Sequence, residues 1–200
     1  MKKRTFLLAL SALALAGCDK FNGPGGSNTA FKGIDLTGAE YARTLSLPDA
    51  EGHMRTLADF KGKVVVVFFG YTQCPDVCPT TLAELAEVKR SLGPDGDKLQ
   101  GVFVTIDPAR DTPELLRTYV SSFDKSFVAL RGSDEQTKAA AKEFKVYYAK
   151  VAGKDEGTYT MDHTAASFIF DPQGRVRIFT RYGSGAQALA DDVKALLAEK

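Results

Sequence analysis

Six consecutive apolar residues, Val64-Val65-Val66-Val67-Phe68-Phe69, constrain this 200-residue chain more than any other stretch. A run rich in β-branched and aromatic side chains, without polar alternation, fits a strand covered on both faces, the centre of a sheet with layers above and below it. Soon after it stands Cys74-Pro75-Asp76-Val77-Cys78-Pro79, followed by apolar positions Leu82, Leu85, Val88 and Leu92 and then Gly93. That spacing marks an amphipathic helix with Pro79 in its first turn and Gly93 at its close. Two thiols at i and i+4 therefore sit beside a helix N-terminus.

The rest of the chain repeats the alternation of strand and helix. Residues 44–57 read as a hairpin turning at residues 49–52, and residues 102–106 as a second buried strand leading through Asp107-Pro108 into a helix. Thr112 caps that helix, Pro113 opens it, and Leu115, Leu116, Tyr119, Val120 and Phe123 are expected to face inward. Residues 127–130 form a short strand, Ser133-x-x-Gln136 opens a third helix as a capping box, and Ser184-x-x-Gln187 opens a fourth. Between the last two helices, residues 166–170 and 176–180 flank Asp171-Pro172-Gln173-Gly174, a hairpin signal. The order β-β-β-α-β-α-β-α-β-β-α, with cysteines at the first central strand-to-helix junction, resembles a thioredoxin-like fold with an extra N-terminal β-hairpin. An α/β architecture follows, with a mixed central sheet and helices on both faces.

The N-terminus carries an address. Lys2, Lys3 and Arg4 precede an apolar stretch over residues 6–16 that is too short to span a bilayer, and Leu15-Ala16-Gly17-Cys18 follows. Those four residues resemble the lipobox of bacterial lipoproteins, which implies removal of residues 1–17 and lipidation of Cys18. Asp19 resembles a signal for retention in the inner membrane. Residues 18–33, rich in Gly, Ser and Asn, read as a tether; a flexible coil of about 14 residues reaches ~20 Å. Residues 34–200 are left for a single domain, and a bacterial cell-membrane protein facing the periplasm is expected. Without the three basic residues of the leader the formal net charge falls from +1 to −2, which does not suggest a nucleic-acid binder.

With Cys18 acylated, Cys74 and Cys78 are the remaining thiols. They can close a disulfide or, as thiolates, chelate a soft metal. The macrodipole at the helix start is expected to make Cys78 a more acidic thiol than an isolated one, while Pro75 and Pro79 stiffen the turn. His53, His163, Met1, Met54 and Met161 are the other soft or imidazole donors. His163, in Tyr159-Thr160-Met161-Asp162-His163-Thr164, precedes the strand that a thioredoxin-like fold brings back across the cysteine turn, so it can complete a two-sulfur, one-nitrogen set suited to Cu(I) and usable by Cu(II). His53 reads as a solvated surface residue and Met161 as a packed one. Asp107 and Asp111 read as turn and cap residues, and Asp162 as a hydrogen-bonding neighbour of the imidazole or of its own loop.

Three blocks now stand together: Phe69-Gly70-Tyr71-Thr72-Gln73-Cys74-Pro75-Asp76-Val77-Cys78-Pro79, Thr105-Ile106-Asp107-Pro108-Ala109-Arg110-Asp111-Thr112-Pro113, and Asp162-His163-Thr164 with Asp171-Pro172-Gln173-Gly174. They resemble the Sco (SenC) family of copper proteins over about residues 35–200. The resemblance implies that Cys74, Cys78 and His163 bind one copper ion, as Cu(I) or Cu(II), for maturation of the binuclear copper site of cytochrome c oxidase. The implied partners are the copper-receiving subunit of that oxidase, a periplasmic thiol reductant, a second copper chaperone, and the membrane through the lipid anchor. Oxidation to a Cys74–Cys78 disulfide is expected to abolish most copper affinity.

A thiol-disulfide oxidoreductase with Cys74 as the attacking thiol is the rival reading. Two departures weaken it: the spacing is CxxxC where thioredoxin-like reductases have CxxC, and Ala165 stands where they carry a proline before the third strand. A peroxidase of the same superfamily is weaker still, because its Thr-x-x-Cys motif is not assembled. A purely structural disulfide leaves His163 and the flanking prolines without a role.

Overall fold

The structure, a computed structural model, describes residues 31–199. The signal segment, Cys18 and most of the expected tether lie outside the described residues. The strands are β1 (Ile34–Asp35), β2 (Ser46–Pro48), β3 (Met54–Thr56), β4 (Val64–Gly70), β5 (Leu99–Thr105), β6 (Val128–Leu130), β7 (Tyr148–Ala152), β8 (Tyr159–His163), β9 (Ala166–Phe170) and β10 (Val176–Arg181). The helices are α1 (Val77–Ser91), α2 (Pro113–Ser121), α3 (Asp134–Glu143) and α4 (Ala186–Ala198), with short 3₁₀ turns at Leu57–Phe60 and Gly93–Lys98.

The apolar run becomes β4, buried along its whole length at the middle of a six-stranded sheet of order β1-β10-β9-β4-β5-β6. It pairs in parallel with β5 and antiparallel with β9, so the sheet is mixed. Alternate residues of β4 serve opposite faces. Phe69 meets Phe144 at the end of α3, whose ring also packs on Phe168 and Phe170 of β9. Phe68 looks the other way, toward Phe103 on the face where α1 and α4 pack together. Helices thus cover both faces, as the all-apolar strand requires.

Several local expectations hold in detail. Ser133 and Gln136 exchange the two bonds of a capping box, Thr112 Oγ1 accepts from Leu115 N, and β2 and β3 form the early hairpin as a small separate sheet. Others are corrected. Leu115 is 40% exposed, because only one of two adjacent leucines on a helix can face the sheet and Leu116 takes that place. Ser184 does not open α4: Gly185 is the N-cap residue, and the Ser184 hydroxyl donates to Arg181 O instead. Residues 148–163, assigned no strand from the sequence, fold into the β7–β8 hairpin, which forms a third sheet. Lys32 N and Gly33 N, assigned to the tether, both donate to the Asp192 carboxylate of α4.

Candidate metal centre

Cys74 and Cys78 lie where β4 ends and α1 begins. Gly70, the last residue of β4, is required there: a Cβ on it would stand 2.7 Å from Cys78 Sγ and 2.8 Å from the Phe103 ring. Cys78, the second residue of α1, is buried, while Cys74 in the preceding turn is half-buried. Pro79 occupies the third helical position, where its missing N–H costs no helical bond. Both thiols are free.

The third donor arrives from β8. His163 is its last residue, opposite Tyr148 of β7, and not a loop residue. The imidazole packs edge-on against Phe68 and Tyr71, at 5.9 and 6.1 Å between centroids. His163 Nδ1 lies 3.1 Å from Thr164 O; a carbonyl only accepts, so this nitrogen carries the proton. Nε2 lies 3.6 Å from Cys78 Sγ. The two sulfurs and a ring nitrogen all lie within 4.8 Å of one another, the one such cluster among the described residues. Beside them opens a cleft of about 320 Å³ lined by Cys74, Pro75, Val77, Met161, Asp162 and His163.

Cys78 departs from the sequence expectation of an acidified thiol, and Cys74 is the acidic one. Cys74 falls from an ordinary thiol value to about 5, chiefly because the Cys78 thiol donates to it, helped by the N–H groups of Asp76 and Cys78 and by His163. Cys78 is pushed up, first by the neighbouring Cys74 sulfur and then by burial, although Tyr71 N–H donates to it. A helix N-terminus acts most on the group outside it that can accept its free N–H bonds, and that group is Cys74.

Acidic and aromatic groups hold this arrangement. Asp111, buried, accepts from Thr72 N (3.2 Å), Thr72 Oγ1 (2.6 Å) and Thr105 Oγ1 (2.5 Å), which binds the start of the cysteine loop to β5; burial raises its pKa. Asp107 pairs with Arg110 Nε and accepts from Tyr159 Oη at 2.9 Å. Both aspartates therefore do more than shape a turn. Arg110, Tyr71 and Tyr159 were not marked by the sequence, since an arginine in a polar loop and tyrosines near strand ends carry no periodic signal. Asp162 is exposed on β8 and lines the cleft, and Met161 is buried. His53 is exposed on the early hairpin, 3.7 Å from Asp49, and is not part of the cluster with the thiols. No helix among the described residues is long and apolar enough to cross a membrane.

A mixed sheet with helices on both faces, and a cysteine pair at the end of its central strand, define a thioredoxin-like protein with a CxxxC–His cluster. The chain belongs to the SCO1/SenC family, whose profile matches residues 35–198. A SCO2-like protein of Rickettsia felis is 37% identical over 130 residues, covering 64% of this chain and 63% of its own length, so the match spans somewhat less than two thirds of that relative. ScoI of Bradyrhizobium japonicum, solved with copper bound, is 41% identical with a TM-score of 0.69, covering 77% of this chain and 98% of that one. Apo Sco1 of Thermus thermophilus is 36% identical with a TM-score of 0.75, covering 86% and 100%.

Proposed function

We propose that this protein is a membrane-anchored copper chaperone that binds one copper ion through Cys74, Cys78 and His163 and delivers it to the binuclear copper site of cytochrome c oxidase. The observation that carries the reading is the convergence of two thiol sulfurs and an imidazole nitrogen within 4.8 Å. Two soft thiolates with one imidazole suit copper, as they do zinc, and the half-open cleft leaves a path for ligand exchange with a receiving protein. The copper-bound Bradyrhizobium structure supports the choice of metal. The Leu-Ala-Gly-Cys18 sequence supports a lipid anchor and a periplasmic face.

One observation favours a second reading. An accessible thiol held near pKa 5 beside a buried, weakly acidic partner is the asymmetry a dithiol reductase uses, with Cys74 attacking and Cys78 resolving. His163 separates the two roles. In a strain lacking this protein, membranes should lose assembled cytochrome c oxidase activity; wild type should restore it, whereas Cys74→Ser and His163→Ala should not. Full restoration by His163→Ala, together with insulin reduction in the absence of copper, would favour the reductase.

A further inference from the structure

The strand that carries His163 has little of the apolar core beneath it. Among its five residues only Met161 is buried, and its partner β7 has none. What fixes it against the cysteine loop is a set of polar cross-links on its free edge. Arg110 Nη1 donates at 2.8 Å to Tyr159 O, the first carbonyl of β8, and at 3.0 Å to Gln73 Oε1, next to Cys74. Tyr71 meets the ring of His163 itself edge-on, at 6.1 Å between centroids. His163 stands four residues beyond Tyr159, on the same face of β8.

Arg110 can bridge the two because its plane is itself held. Its Nε pairs with buried Asp107, and its Cζ lies 3.6 Å from the centre of the Tyr159 ring and 5.7 Å from that of Tyr71. Asp107 closes the circle by accepting from Tyr159 Oη at 2.9 Å. A guanidinium offers donors in a fixed fork and stacks on aromatic faces, and an ammonium does neither in the same way. We infer that Arg110 is a positioning residue for the metal site: clamped by Asp107 and Tyr159, it pins β8 to the cysteine loop and so holds His163 within reach of the two sulfurs. It touches neither donor nor cargo and acts through the placement of His163.

This rests on the copper reading for its consequence but not for its structural content, and the test separates the two. Arg110→Lys keeps the charge and loses the fork. Copper affinity of the reduced full chain, measured by competition with a Cu(I) chelator, should fall about tenfold, in the range typical of losing an outer-sphere orienting group. The nitrogen coupling in the electron paramagnetic resonance spectrum of the Cu(II) form should weaken. Arg110→Lys combined with His163→Ala should bind copper as His163→Ala does, because a pin for an absent ligand has nothing left to hold. Without metal, amide hydrogen exchange in β8 should speed up about tenfold, while β4 and β9 keep wild-type rates. Tyr159→Phe, which deletes one bond to Asp107, should show the same pattern more weakly and serves if Arg110→Lys does not fold. Wild-type exchange in β8, or an equal loss of affinity with and without His163, would overturn the inference. Failure of wild type to bind copper would sink the copper reading and leave the exchange measurement to decide the pin.

Discussion

Cys74 and Cys78 are chemically identical residues four positions apart, and the fold makes them opposites. Cys74 is half-buried and accepts hydrogen bonds from the start of α1, whereas Cys78 is sealed beneath β4 with a thiolate-forming neighbour beside it. The first expected outcome is a split in alkylation. At pH 6, iodoacetamide followed by mass spectrometry should label Cys74 and spare Cys78, and the Cys74 rate should fall as pH drops through about 5. A single shared midpoint near the ordinary thiol value of about 8.5 would contradict it. Linkage gives this split a sign for the reduced, metal-free protein. Cys74, with its pKa lowered, lends stability that is complete above the ordinary thiol pKa and is lost as pH falls through about 5. Cys78, with its pKa raised, lends stability below the ordinary thiol pKa and loses it above. Gly70 belongs to the same scale. Gly70→Ala places a methyl group within 3 Å of Cys78, Phe103 and Phe68, which should cost about 1–3 kcal/mol of unfolding free energy, measured by denaturant titration, and displace the buried sulfur.

Elements that bury a patterned apolar face were legible, and the one that does not was not. The Val64–Phe69 run gave β4, the 3.6-residue spacing from Leu82 to Leu92 gave α1, and Ser133 with Gln136 gave the start of α3, each a local signal that the tertiary fold reinforces. The β7–β8 hairpin left no such trace, because only Met161 of its ten residues is buried, four more are part-buried, and Lys150, Val151, Ala152, Thr160 and Asp162 are exposed. Its position comes from Arg110, Tyr71 and Asp107, contacts that no periodicity encodes. Hence His163 was identifiable as a ligand candidate by its type and place in the order, while the strand beneath it was not. The cap at Ser184 failed for a related reason: its hydroxyl has a nearer acceptor in Arg181 O. On the far face of the sheet, the ring of Phe144 joins α3 to Phe69, Phe168 and Phe170. Phe144→Ala should cost about 3–5 kcal/mol by guanidinium unfolding and leave copper stoichiometry unchanged in the folded fraction. A loss below about 1 kcal/mol would mean that α3 is not fastened to the sheet in this way.

For the whole molecule, strand direction decides which end does the work. β1 runs antiparallel to β10, and β10 runs in the same direction as β4, so the chain enters the sheet at the end where β4 delivers the cysteines. Asp192 clamps that entry by accepting from Lys32 N and Gly33 N. Lys32 and Gly33 therefore lie at the thiol end of the sheet, and not at the opposite end with the Asp171 turn. The fold thus gathers at one end the chain entry, two thiols of unequal acidity and an imidazole that faces them. Copper loading should be gated by the oxidation state of the thiols, since a Cys74–Cys78 disulfide removes two of the three donors. The direct measurement is a Cu(I) titration of the reduced protein against a competing chelator, repeated after oxidation and with His163→Ala. The expected result is one tightly held copper per chain, at least tenfold weaker binding in His163→Ala, and no tight binding after oxidation. Wild type that binds no copper, or His163→Ala that binds as tightly as wild type, would contradict the assignment of this centre.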